Sequence, residues 1–212
     1  MDFQPLEYIY LPSGKPGSAT LLLLHGTGGD ERDLLPLAKY FGDGLNVLSV
    51  RGNVLENGMP RFFKRLGMGV FDENDLEFRT EELAVFLEKI SGEKGFDTSR
   101  IIALGYSNGA NIAGALLNLY PDLLSGAILF RPMLPFQKKG FSESQRQTPV
   151  FLSSGKNDPT VPASDTEKYI GLLKDAGFKA THHDLDTGHN LAQQDLDLAA
   201  QWFQDNLQTL VG

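Results

Sequence analysis

Cysteine is absent from all 212 residues, which excludes disulfides, thiolate metal sites and a cysteine nucleophile. Histidine occurs four times, so imidazole chemistry has few candidates. Basic residues are outnumbered: 19 Lys and Arg against 27 Asp and Glu give a net charge of −8. Without a basic stripe to displace counterions, nucleic acid is not an expected partner. No apolar run approaches the roughly 20 residues of a membrane-spanning helix; the longest near the start is Leu21 to Leu24. The opening MDFQPLEYIYLPSG has neither a basic n-region nor an apolar h-region. No secretory signal is therefore expected, and a cytoplasmic protein is. Internal repeats, low-complexity tracts and linkers are also missing, so residues 1–212 are expected to form a single domain.

What is present alternates. Apolar β-like runs at 6–11, 19–25, 45–50, 101–106, 126–130, 150–154 and 180–186 are separated by amphipathic stretches. Several runs are continuously apolar, as in strands covered on both faces. Residues 76–91 place Leu83, Phe86, Leu87 and Ile90 on one helical face. Residues 164–176 open on a capping-box pattern and stop before Gly177. The tail from Asn190 carries Leu198, Trp202, Phe203 and Leu210 at near-helical spacing. This alternation predicts an α/β fold: a mostly parallel central sheet with helices on both faces. Two long connections, 51–75 and 131–148, interrupt it; segments of that length are commonly functional or mobile.

Ser107 lies in GYSNGAN, between the end of a predicted strand and the start of a predicted helix. The pattern G-x-S-x-G arises by chance in about one such chain in seven, so its context has to decide. Gly105 and Gly109 leave room for a tight turn that would expose a nucleophile. The alternative role is a plain helix N-cap. A serine needs a base. His182 and His183 are adjacent in a predicted strand and point to opposite faces. His25 ends a strand and is read as support for the loop that follows. His189, in DTGHN, follows a strand end. The third member, a carboxylate to orient the imidazole, is read as Asp158 in GKNDPTVP, held extended by Pro159. Oxyanion donors are expected at the backbone N–H of Asn108 and of Thr27, the latter in the glycine-rich HGTGGDERDL. That loop has no Walker pattern for phosphate.

With HGTGGDERDL, GYSNGAN, GKNDPTVP and DTGHN in this order, the chain resembles the carboxylesterase/phospholipase family of α/β-hydrolases, which includes acyl-protein thioesterases. The resemblance covers nearly the whole chain. It implies an α/β-hydrolase fold with about seven strands and no large cap domain. It also implies a serine esterase (EC 3.1.1.-) with triad Ser107, Asp158 and His189 and oxyanion donors Thr27 and Asn108. An ester or thioester is the implied substrate, and no cofactor or metal is expected. One departure is Thr27 and an extra glycine where family members often carry an apolar leucine, which alters polarity near the acyl group.

Phe62, Phe63, Met68 and Phe71 in one long connection, with Met133, Leu134 and Phe136 in the other, are candidates for an apolar acyl or alcohol pocket. They serve equally well as anchors that pack those connections onto the body. Arg61, Lys64 and Arg65 read as a solvated basic face, with attraction of an acidic leaving group as the alternative. Two other functions remain open. One is a dienelactone-hydrolase-like enzyme for cyclic or aromatic esters, disfavoured by serine where cysteine is common. The other is a non-catalytic ligand-binding protein on the same fold. A homodimer through 131–148 is possible on this reading.

Overall fold

The structure, a computed structural model, describes residues 3–210. Seven strands form its main sheet: β1 (Tyr8–Leu11), β2 (Thr20–Leu24), β3 (Asn46–Val50), β4 (Ile101–Tyr106), β5 (Leu124–Phe130), β6 (Pro149–Gly155) and β7 (Lys179–Leu185). Their order across the sheet is β1-β3-β2-β4-β5-β6-β7. Only β1 runs antiparallel to its neighbour; every other pairing is parallel. Among the described residues the four α-helices are α1 (Glu73–Lys94), α2 (Asn108–Leu119), α3 (Ala163–Asp175) and α4 (Gln193–Leu207). This is the α/β-hydrolase fold.

The leucine run of β2 shows why both faces are covered. Successive side chains of a strand point to opposite faces. Leu22 and Leu24 accordingly join the core that holds Leu83 and Leu87 of α1, Ile112 of α2 and Leu173 of α3. Leu21 and Leu23 join the opposite core, with Trp202 and Phe203 of α4. Both leucine pairs are fully buried.

Two features of the sheet place the site. β2 and β4 are neighbours in a register that sets Leu24 beside Gly105, so the loops leaving them lie side by side. β4 to β7 then follow in spatial order, so their carboxyl-end loops fan across one edge, where ligands of open α/β sheets bind.

The 51–75 connection is more ordered than the sequence suggests. It contains two small hairpins, Val54–Glu56 with Met59–Arg61 and Arg65–Gly67 with Val70–Phe71. A 3₁₀ helix at Leu35–Phe41 was also not visible in the periodicity.

Candidate active site

Ser107 follows β4 directly and has φ 52° and ψ −112°, a left-handed backbone that a non-glycine residue adopts only under constraint. The glycines flanking it are sterically required. A Cβ on Gly109 would overlap the carbonyl of Leu24, and one on Gly105 would sit 2.5 Å from the carbonyl oxygen of Gly109. The Ser107 side chain makes no capping bond to the helix it precedes. Its Oγ instead lies 2.9 Å from Nε2 of His189.

The other ring nitrogen of His189, Nδ1, stands 2.6 Å from Oδ2 of Asp158. The Asp158 carboxylate is fully buried, while the imidazole stays 29 % exposed. Burial pushes the Asp158 carboxyl up, but the Thr160 hydroxyl and amide and the His189 ring outweigh it and hold it below its ordinary value. Thr160 donates both its N–H (2.8 Å) and its Oγ1–H (2.6 Å) to Oδ1 of Asp158. Sequence reasoning missed Thr160, although Asp followed two residues later by Thr is a local signal for a turn of this kind.

Arg131 was missed entirely. It follows β5, carries a positive φ of 55°, and is 1 % exposed. Its guanidinium reaches into the loop before α4, donating to the carbonyls of Gly188 (3.0 Å) and Asn190 (3.1 Å). His189 is thus held through the carbonyls on either side of it. Arg131 also donates to Thr187 Oγ1 at 3.0 Å, and its charge is matched by Asp195 of α4. A further tie comes from the Tyr106 hydroxyl, which donates to the His189 carbonyl at 3.2 Å.

The loop after β2 comes to the opposite side of Ser107. His25 is buried there; its Nδ1 lies 2.6 Å from the Gly26 carbonyl and its Nε2 accepts from the Gly52 N–H at 3.0 Å. Burial lowers its pKa and favours the neutral ring. His25 therefore braces the loop, as its position suggested. His182 pairs with Ser154 (2.7 Å) and His183 packs on Phe151; the structure brings neither to Ser107. Among the described residues, the backbone N–H groups of Thr27 and Asn108 donate to no protein acceptor, and both residues line the cavity in front of Ser107.

That cavity measures about 230 Å³. Met68, Phe71 and Met133 line it, together with Ser107 and His189. Phe62, Phe63, Leu134 and Phe136 do not. All four are buried in the core shared with α1, α2 and α3, where they anchor the two long connections. The pocket expectation is corrected for these four residues: their large apolar side chains are withdrawn from water into the core, which is where the two connections are fastened to the body. The solvated-face reading of the basic cluster is corrected as well. Arg61 is only 3 % exposed, and it lines the cavity with Arg65. Lys64 alone fits that reading, with its ammonium half-exposed near Asp75.

The residues 9–207 match the phospholipase/carboxylesterase family. The chain belongs to that family. The putative hydrolase MhqD of Bacillus subtilis (strain 168) is 47 % identical over 185 residues, covering 87 % of this chain and 92 % of that protein. The crystal structure of the Bacillus cereus carboxylesterase superposes with a TM-score of 0.92 at 44 % identity, over 95 % of each chain. The structure of YahD with malic acid gives 0.87 at 30 % identity, over 95 % of this chain and all of that one. The protein is accordingly a hydrolase of the carboxylesterase type. Among the described residues, no helix is long and apolar enough to cross a membrane.

Proposed function

We propose that this family member hydrolyses carboxylic esters or thioesters through an acyl-serine, with Ser107 as nucleophile, His189 as base and Asp158 as its orienting carboxylate. The observation that carries the proposal is the unbroken contact Ser107 Oγ, His189 Nε2, His189 Nδ1, Asp158 Oδ2, at 2.9 and 2.6 Å. As Oγ attacks the substrate carbonyl, Nε2 takes its proton. The carbonyl oxygen becomes an oxyanion, for which the free N–H groups of Thr27 and Asn108 are the donors. Collapse breaks the bond to the alcohol or thiol, which leaves with the proton from His189. Water then gives a proton to His189 and attacks the acyl carbon. The acid is released and Ser107 recovers its hydrogen.

The cavity is below the roughly 300–1,000 Å³ usual for drug-sized ligands, so short acyl chains suit it. The test is hydrolysis of p-nitrophenyl esters from acetate to decanoate by the wild type and by Ser107→Ala. Activity that peaks at short chains and disappears in the variant is expected. Turnover that survives the substitution would remove Ser107 from the mechanism. Equal rates across the series would overturn the size argument.

A further inference from the structure

Two guanidiniums in the cavity share a single carboxylate. Arg61 and Arg65 both line the cavity, and Glu56 is the carboxylate they share. Glu56 Oε1 accepts from Arg65 Nε at 2.8 Å, and its Oε2 lies 3.3 Å from Arg61 Nη1. Arg131 has Asp195 and Lys64 has Asp75, while the Asp158 carboxylate is taken up by hydrogen bonds to the neutral His189 ring and Thr160 and pairs with neither guanidinium. The Arg61–Glu56–Arg65 cluster therefore carries one more positive charge than its carboxylate matches, beside Thr27 and within the same cavity as Ser107.

Donors are left over too. Arg61 gives Nε to the Phe63 carbonyl (3.2 Å) and Nη1 to Thr27 Oγ1 (2.7 Å). Arg65 gives Nη1 to the Met68 sulfur, a weak acceptor, at 3.2 Å. Among the described residues, neither Nη2 donates to a protein acceptor. Burying a guanidinium as deeply as Arg61 is costly without full pairing. Burial, and then the neighbouring Arg65, lower its pKa against the opposing pull of Glu56. Guanidinium groups with free donors suit the planar, bidentate geometry of a carboxylate. A single surplus charge matches a monoanion better than a phosphate dianion. Met68, Phe71 and Met133 supply apolar contact for the rest of such a molecule.

We propose that Arg61 and Arg65 form a subsite for a second, ionised carboxylate on the substrate, so that the protein prefers esters of acidic character over neutral esters of the same size. The preference for turnover rests on the esterase reading above; the anion subsite itself does not.

The test compares two matched pairs. Mono-4-nitrophenyl glutarate against 4-nitrophenyl pentanoate places the carboxylate on the acyl arm; 4-acetoxybenzoate against its methyl ester places it on the alcohol arm. Binding of free glutarate, measured by calorimetry, adds a readout that needs no catalysis. In at least one pair, kcat/KM should favour the acidic ester about tenfold or more, and the preference should shrink as salt screens it. Arg65→Gln removes the surplus charge and should abolish the preference. Glu56→Gln frees both guanidiniums and should enlarge it, and should restore part of it when combined with Arg65→Gln. A role limited to holding Thr27 in place would move neither ratio. Equal rates within both pairs, with no glutarate binding, would overturn the proposal. Glutarate binding without turnover of any ester would instead sink the esterase reading and leave the subsite standing.

Discussion

Arg131 and Asp195 meet through two hydrogen bonds, Nη1 to Oδ1 at 2.7 Å and Nη2 to Oδ2 at 2.8 Å, with neither side chain exposed to solvent. The pair joins the end of β5 to the first turn of α4, across the loop that carries His189. Asp195 also accepts from Ser153 Oγ (2.7 Å) and from the Ala192 N–H (2.8 Å). Its removal would leave a guanidinium buried and uncompensated. Asp195→Ala is therefore expected to cost about 3–5 kcal/mol of stability, measured by urea denaturation. The paired replacement Arg131→Met with Asp195→Leu removes both charges and should be less destabilising than the single change. Activity should not recover with it, because the carbonyls of Gly188 and Asn190 lose their donor and His189 is no longer pinned. A double variant as active as the wild type would show that the pair serves the fold alone.

Thr160 touches both Asp158 and the imidazole, its Oγ1 lying 2.9 Å from Nδ1 of His189. Its hydroxyl and amide both bind Oδ1 of Asp158, leaving Oδ2 for His189. Thr160→Val keeps the amide and deletes the hydroxyl. A hydrogen bond to a charged group is worth about 1.5–3 kcal/mol, so kcat/KM should fall roughly ten- to a hundredfold on a p-nitrophenyl ester, within the range of that one bond. Thr160→Ser, which returns the hydroxyl, should recover most of the rate. A fully active Thr160→Val would mean that the amide alone orients Asp158.

The frame of the fold was legible because it depends on local patterns. All seven main-sheet strands were placed, since a continuous apolar run as short as Leu21 to Leu24 suits a strand covered on both faces. Boundaries drifted: the first strand begins at Tyr8 rather than residue 6, and α1 extends to Glu73–Lys94 rather than 76–91. Ser107, Asp158 and His189 stood out because each follows a strand end, so their convergence required only the order of the strands. Arg131 could not be found that way. Its partners Thr187, Gly188, Asn190 and Asp195 are far away in sequence, and an arginine after a strand has no distinctive pattern of its own. The pocket was legible only in part, for a different reason. Apolar residues in the two long connections look alike in sequence, and only the folded path of each connection sends Met68, Phe71 and Met133 to the cavity and Phe62, Phe63, Leu134 and Phe136 to the core.

Acid should destabilise the protein through two buried carboxylates. Burial raises the Asp195 carboxyl, but Arg131, the Ala192 N–H and Ser153 outweigh it, leaving it below its ordinary value. The direction at Asp158 is the same. With folded values depressed, the unfolded chain takes up protons first as pH falls. The stabilisation is therefore complete above the unfolded value of about 3.9 and is lost as pH drops through the folded values. Urea midpoints measured from pH 6 to pH 2.5 should hold down to about pH 4 and then fall. Asp158→Asn removes one of these groups, and its midpoint should fall less steeply. An unchanged slope would mean that other carboxylates set the acid limit.

Phe63 and Met68 are close in sequence yet should answer mutation in opposite ways. Phe63 is fully buried and meets Phe71 edge-on with ring centroids 5.0 Å apart. Phe63→Ala would open a cavity in the core, at a cost of about 3–5 kcal/mol. Met68 is 75 % exposed and lines the cavity. Met68→Ala should leave stability within about 0.5 kcal/mol and act on KM, since little of its side chain is withdrawn from water until substrate covers it. Denaturation and ester kinetics on the two variants separate the roles. If Met68→Ala lost stability instead, the hairpin at Arg65–Gly67 and Val70–Phe71 would depend on that side chain for packing, and Met68 would belong with the anchors.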